Sequence, residues 1–141
     1  MDKKMFKVTF LIAVIGLLVF AMQTRAEVFT VEMVTDIESD QVYFFEPNNL
    51  VVQPGDTVTF VNLQEDFHNV VFERVPEGVD TIESPMLENA SDTWSYTFSV
   101  EGTYSFHCHP HAGAGMSGTL IVGKPSETKS SGGGNHDSHS H

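Results

Sequence analysis

The chain has a single cysteine, Cys108, and it stands among histidines in Phe106-His107-Cys108-His109-Pro110-His111. His111 follows Cys108 by three positions, and Met116 follows His111 by five. Thiolate, imidazole and thioether form a soft donor set, which suits copper. A second imidazole would complete a His2Cys site with a weak axial methionine, the donor set of one-electron copper centres. His68, forty residues upstream of the cysteine and between two apolar runs, is the candidate.

The elements that must position these side chains are strands. In Tyr104, Phe106 and Cys108 every second residue is bulky or soft, while Thr103, Ser105 and His107 are polar. That alternation has the period of a strand with one buried face, and it delivers Cys108 inward. Pro110 cannot donate to a ladder and ends the pairing. The small residues Ala112 to Gly115 let the backbone turn tightly, so that His111 and Met116 return beside Cys108.

The pattern C-x2-H-x4-M in this segment resembles the copper loop of plastocyanins, a family of cupredoxins. Pro54 to Phe60, His68 to Phe72 and Pro76 to Asp80 are also similar to plastocyanin segments, in the same order, so the resemblance covers about Val28 to Val122. It implies one type 1 copper per chain, held by His68, Cys108, His111 and Met116. It further implies that the backbone N–H of Asn69 donates to the cysteine sulfur and that the Asn69 side chain ties the two ligand loops together. The edge of the His111 ring is expected at the surface, where Ala112, Gly113 and Ala114 allow a redox partner to approach. The chain departs from the family at His107, where plastocyanins usually carry a tyrosine used in a second electron-entry route, and His109 is also additional. Histidines beside the cysteine resemble multicopper oxidases and copper nitrite reductases, but His107 and His109 alone are too few to close a second metal site without a partner subunit.

The ends of the chain differ from its middle. Lys3, Lys4 and Lys7 precede an apolar run from Val8 to Met22, and Thr24-Arg25-Ala26 offers a small residue for cleavage. The run is shorter than the ~20 residues a spanning helix needs, so residues 1–26 are expected to be a signal peptide rather than an anchor. No cysteine lies near its end to carry a lipid. Removing it leaves three Lys/Arg against eighteen Asp/Glu, a formal charge of −15 with histidine neutral. Such a surface disfavours nucleic acid and anionic membranes, and suits a redox protein with a basic docking face, such as a c-type cytochrome or a reductase. Export to the periplasm is expected, with the thylakoid lumen, or a membrane tether if the leader persists, as the alternatives. An unpaired thiol in an oxidising compartment is a liability unless buried or metal-bound.

Residues 27–124 are expected to form one all-β domain, a cupredoxin-like Greek-key sandwich or barrel of seven to eight strands, antiparallel in its pairing. Glu27 to Val34 reads as an edge strand. Further strands are expected at Tyr43 to Phe45, Leu50 to Gln53, Thr57 to Asn62, Val70 to Phe72, Thr93 to Val100, through Tyr104 to Cys108, and at Gly118 to Val122. Glu73 to Asp92 loses periodicity, with one helical turn expected near Met86 to Asn89. Phe44, Phe60, Phe72, Trp94, Tyr96, Phe98, Tyr104 and Phe106 are the expected core aromatics. Residues 125–141 are Ser/Gly-rich and read as a disordered tail, in which His136, His139 and His141 could hold a metal loosely. The function expected is a soluble, monomeric one-electron carrier and not an enzyme. The alternatives are a copper-delivery protein using the tail and an oligomeric copper enzyme related to nitrite reductase.

Overall fold

The computed structural model describes residues 25–124, so the leader up to Thr24 and the tail with His136, His139 and His141 lie outside the described residues. Eight strands are present in this span: β1 (Val28–Thr35), β2 (Tyr43–Glu46), β3 (Asn49–Val52), β4 (Asp56–Asn62), β5 (Val71–Arg74), β6 (Thr93–Phe98), β7 (Gly102–His107) and β8 (Ser117–Val122). They form two four-stranded sheets, ordered β2-β1-β4-β6 and β3-β8-β7-β5. The all-β sandwich expected from the alternating segments is therefore observed. No helix among the described residues is long and apolar enough to cross a membrane.

Four details differ from expectation. The pairing is mixed, because β1 runs parallel to β4 and β3 parallel to β8. β1 is an inner strand, flanked by β2 and β4; its Val31 and Met33 are buried, as a strand covered on both edges allows. The helical turn near Met86 to Asn89 is absent, and Leu87 instead exchanges both backbone hydrogen bonds with His68, at 3.0 and 2.8 Å. Phe45, not Phe44, is the core residue of its pair. The register of β2 on β1 sets Phe45 opposite the buried Met33, and the pleat then turns Phe44 outward.

The two sheets close over a cluster of aromatic edges. Phe60 meets Phe45, Phe72 and Phe106 in near-perpendicular contacts with ring centroids 5.6 to 6.3 Å apart. Phe106 also packs against Phe45 at 4.8 Å and Phe72 at 5.3 Å. Edge-to-face packing of this kind adds to the burial of the rings themselves. Trp94 and Tyr96 cover the cluster from its margin and are only half-buried.

Phe106 lies directly opposite Gly118 in the β7–β8 ladder. A Cβ on Gly118 would collide with the Phe106 ring and come within 2.6 Å of the backbone oxygen of Asn48. The strand backbone cannot retreat there without breaking its pairing. Gly118→Ala is expected to destabilise the fold by about 1–3 kcal/mol, and the chemical-denaturation midpoint measures the loss.

Candidate metal centre

Val71, His107 and Ser117 form one row across β5, β7 and β8. β7 leaves this row toward Cys108, β5 enters it from His68, and β8 enters it from Met116. The strand order alone thus brings the three segments to one end of one sheet. The backbone N–H of Cys108 donates to the carbonyl of Met116 at 3.0 Å, extending the β7–β8 ladder by one pair. Between them, His111 leads into a 3-10 turn over Ala112–Ala114, which Gly115 ends with φ +82°. Only a residue tolerant of the left-handed region makes that return without strain.

Three donor atoms meet there. Cys108 Sγ lies 3.6 Å from Nδ1 of His68 and 3.6 Å from Nδ1 of His111. The two Nδ1 atoms are 3.2 Å apart. Separations near 3.5 Å are those of donors that share one ion at about 2 Å in a roughly trigonal plane. Among the described residues this is the one cluster of histidine, cysteine or acidic groups close enough to hold a metal. Cys108, His68 and Met116 are fully buried, while His111 is partly exposed. Asn69 is buried beside them, and its Oδ1 accepts from the backbone N–H of His109 at 2.7 Å, joining the two ligand loops.

The electrostatics suit a cation. Burial pushes the Cys108 thiol up, although the backbone N–H groups of Asn69 and His111 partly oppose it by hydrogen bonding to the sulfur. A bound metal removes that proton outright. Burial, reinforced by the nearby His111 and opposed by Asp66, lowers His68 from 6.5 to about 4. The imidazole is therefore neutral at pH 7 and free to ligate. Asp66 sits below its ordinary value, because bonds from the Thr35 hydroxyl and the Phe67 N–H, with the nearby histidines, outweigh the opposing effect of burial.

The His68 shift has a measurable consequence in the metal-free protein. Between pH 6.5 and about 4 the unfolded chain takes a proton at His68 that the folded chain refuses. The corresponding stability is fully present above that window and is lost as pH falls through it. The loss is expected to reach about 3 kcal/mol, and denaturation at pH 7.5 and 4.5 measures it against a His68→Leu variant that lacks this contribution.

Residues 31–123 match the copper binding proteins of the plastocyanin/azurin family. The chain belongs to that family. It is 46% identical over 86 residues to the chloroplastic plastocyanin of Oryza sativa subsp. indica, a stretch covering 57% of this chain and 56% of the rice protein. It is 44% identical over 85 residues to the plastocyanin of Solanum tuberosum, covering 55% of this chain and 86% of that one. The match thus spans little more than half of the rice protein. Among solved structures, the native pseudoazurin of Hyphomicrobium denitrificans superposes with a TM-score of 0.58 at 34% identity, covering 70% of this chain and 77% of that one. An amicyanin variant in its reduced state gives 0.54 at 30% identity, covering 68% and 82%. The plastocyanin-like cupredoxin suggested by the copper-loop residues is thus established, and the donor set fits one type 1 copper.

The remaining site expectations fare unevenly. His107 turns away from the cluster; its Nδ1 lies 3.6 Å from Glu73 Oε2 and has no hydrogen-bond partner among the described residues. His109 is exposed, with its ring centroid 6.3 Å from that of His107. The two do not form a second cluster. Three residues beside the centre escaped the sequence reading: Thr35 and Asp66, which join behind His68, and Tyr43, whose ring stacks on His111. Asp66, two positions before His68 in a polar loop, offered a faint signal; Thr35 and Tyr43 offered none.

Proposed function

We propose that this protein is a soluble one-electron carrier with His68, Cys108 and His111 as the equatorial copper ligands and Met116 as the weak axial one. The observation that carries the reading is the convergence of Sγ and two Nδ1 atoms within 3.2 to 3.6 Å of one another. Copper supplies the Cu(II)/Cu(I) couple. The chain supplies rigidity: a buried thiolate, one buried imidazole and one half-exposed imidazole, all held by strand ends and by the Asn69 tie. A site fixed in this way changes little between oxidation states, which favours fast exchange. Among the described residues no second cluster of histidine, cysteine or acidic groups is close enough to hold another metal.

The half-exposed edge of His111, with exposed Ala112, Gly113 and Ala114 around it, is the exit for the electron. The acidic balance of the chain argues for a partner with a basic face, such as a c-type cytochrome or a reductase, met as a monomer and with a salt-dependent on-rate. Residues 1–26 act as a leader for export to the periplasm, 27–124 as the cupredoxin domain and 125–141 as a tail. The backbone N–H of Glu27 already donates to buried Asp56 at 2.9 Å, so the domain is anchored from its first residue onward. The mass of the exported protein should correspond to a chain beginning at Glu27.

Voltammetry and electron exchange with a cationic cytochrome test the function. A reversible couple with exchange that slows as salt rises is expected. Ready transfer of copper to a metal-free acceptor, with no reversible couple, would instead indicate copper delivery.

A further inference from the structure

Thr35 closes β1 and Tyr43 opens β2, and the two stand directly opposite each other in the antiparallel ladder. Each reaches one imidazole of the metal centre. Thr35 Oγ1 lies 2.8 Å from Nε2 of His68 and donates to Asp66 Oδ2 at 2.7 Å. The direction of this chain is fixed by what each group can do. An ionised carboxylate only accepts, so the hydroxyl proton goes to Asp66. The hydroxyl then offers only lone pairs to His68, so Nε2 must carry the ring proton. A neutral imidazole protonated at Nε2 has its lone pair on Nδ1, the atom that faces Cys108 and His111. Asp66 is held in turn, because its other oxygen accepts from the Phe67 N–H at 2.7 Å.

Tyr43 acts on the second imidazole by contact. Its ring lies flat on that of His111, with centroids 3.7 Å apart and planes inclined by 7°. Gln41, just before β2, donates to the carbonyls of both Tyr43 and Gly115, at 3.2 and 3.1 Å, so the stack and the turn after His111 are braced together.

We propose that the cross-strand pair Thr35–Tyr43, with Asp66 behind it, is the positioning device of this centre: Thr35 sets the tautomer of His68, and Tyr43 sets the plane of His111. Hydrogen bonds to a metal-binding histidine from the side away from the metal tune affinity by about 10–100-fold, and here one strand corner serves both rings. The consequence for affinity rests on the copper reading above. The tautomer does not, since it belongs to the metal-free chain.

Nitrogen-15 NMR of the histidines in the metal-free protein reads the tautomer, and a copper competition titration reads the affinity. Wild type is expected to show His68 protonated at Nε2. Thr35→Val, nearly isosteric, is expected to populate the Nδ1–H form and to weaken copper by about 10–100-fold, and Thr35→Ser should restore both readings. Tyr43→Phe should behave as wild type, whereas Tyr43→Leu should weaken copper. An unchanged tautomer and affinity in Thr35→Val would overturn the Thr35 half, and an unchanged affinity in Tyr43→Leu the Tyr43 half. If the tautomer responds as stated but wild type fails to bind copper tightly, the positioning of His68 stands and the copper reading fails.

Discussion

Cys108→Ser is expected to abolish the intense visible thiolate-to-copper absorption of the copper-loaded protein while leaving the fold intact. The sulfur is fully buried and equidistant, at 3.6 Å, from both imidazole donors, so no other group in the described chain can take its place. A serine hydroxyl is far harder to deprotonate than a thiol and gives a harder oxygen donor, which removes both the charge transfer and the soft ligand that favours Cu(I). Copper affinity should fall by at least ~100-fold, more than the loss of an outer-shell contact costs. Circular dichroism should stay that of a β protein, because the substitution is nearly isosteric and the hydroxyl faces two imidazole nitrogens that can accept its proton. A visible spectrum and a competition titration on the same sample decide the matter. A persistent blue band would remove Cys108 from the ligand set and with it the electron-carrier reading.

The proposed ligands were legible in the sequence because three of the four are local. Cys108, His111 and Met116 sit within one turn between two strands, where chain spacing nearly dictates spatial spacing, and Tyr104-Phe106-Cys108 announces the buried face. His68 is remote, yet it lies three residues before β5, which pairs with β7, so its neighbourhood follows once the sheet order is known. The supports were not legible. Thr35 and Tyr43 reach the site only through the pairing of β1 with β2, and nothing in either residue's flanks signals a role. The same non-local pairing decided the other differences. Two adjacent aromatics, Phe44 and Phe45, can satisfy either parity, and the partner strand selects between them. Amphipathic alternation carries no sign of strand direction, so the parallel pairing of β1 with β4 was invisible, as was the inner position of β1. The stretch around Leu87 lacks any period because its backbone is satisfied by His68 across the fold rather than by neighbours in sequence.

The two proposed histidine ligands should respond oppositely to removal, because the fold buries them differently. His68 is wholly enclosed, hydrogen-bonded to Thr35 on one side and fastened by its backbone to Leu87 on the other. His68→Gly opens an internal void among buried side chains, with no route for a replacement from solvent. It is expected to eliminate the blue site, to destabilise the domain by about 2–5 kcal/mol as other large-to-small core changes do, and to resist rescue. His111 is partly exposed, flanked by the exposed residues Ala112 to Ala114 and stacked on Tyr43. His111→Gly therefore opens a coordination position to solvent at little cost to the core, and the flat face of Tyr43 remains to receive a free ring. Added imidazole is expected to restore the blue absorption in His111→Gly and to do nothing for His68→Gly. The measurement is a visible-spectrum titration of both copper-loaded variants with imidazole. Equal rescue of the two would mean that His68 is reachable from outside, and equal failure would mean that the His111 edge is not the open face through which electrons leave.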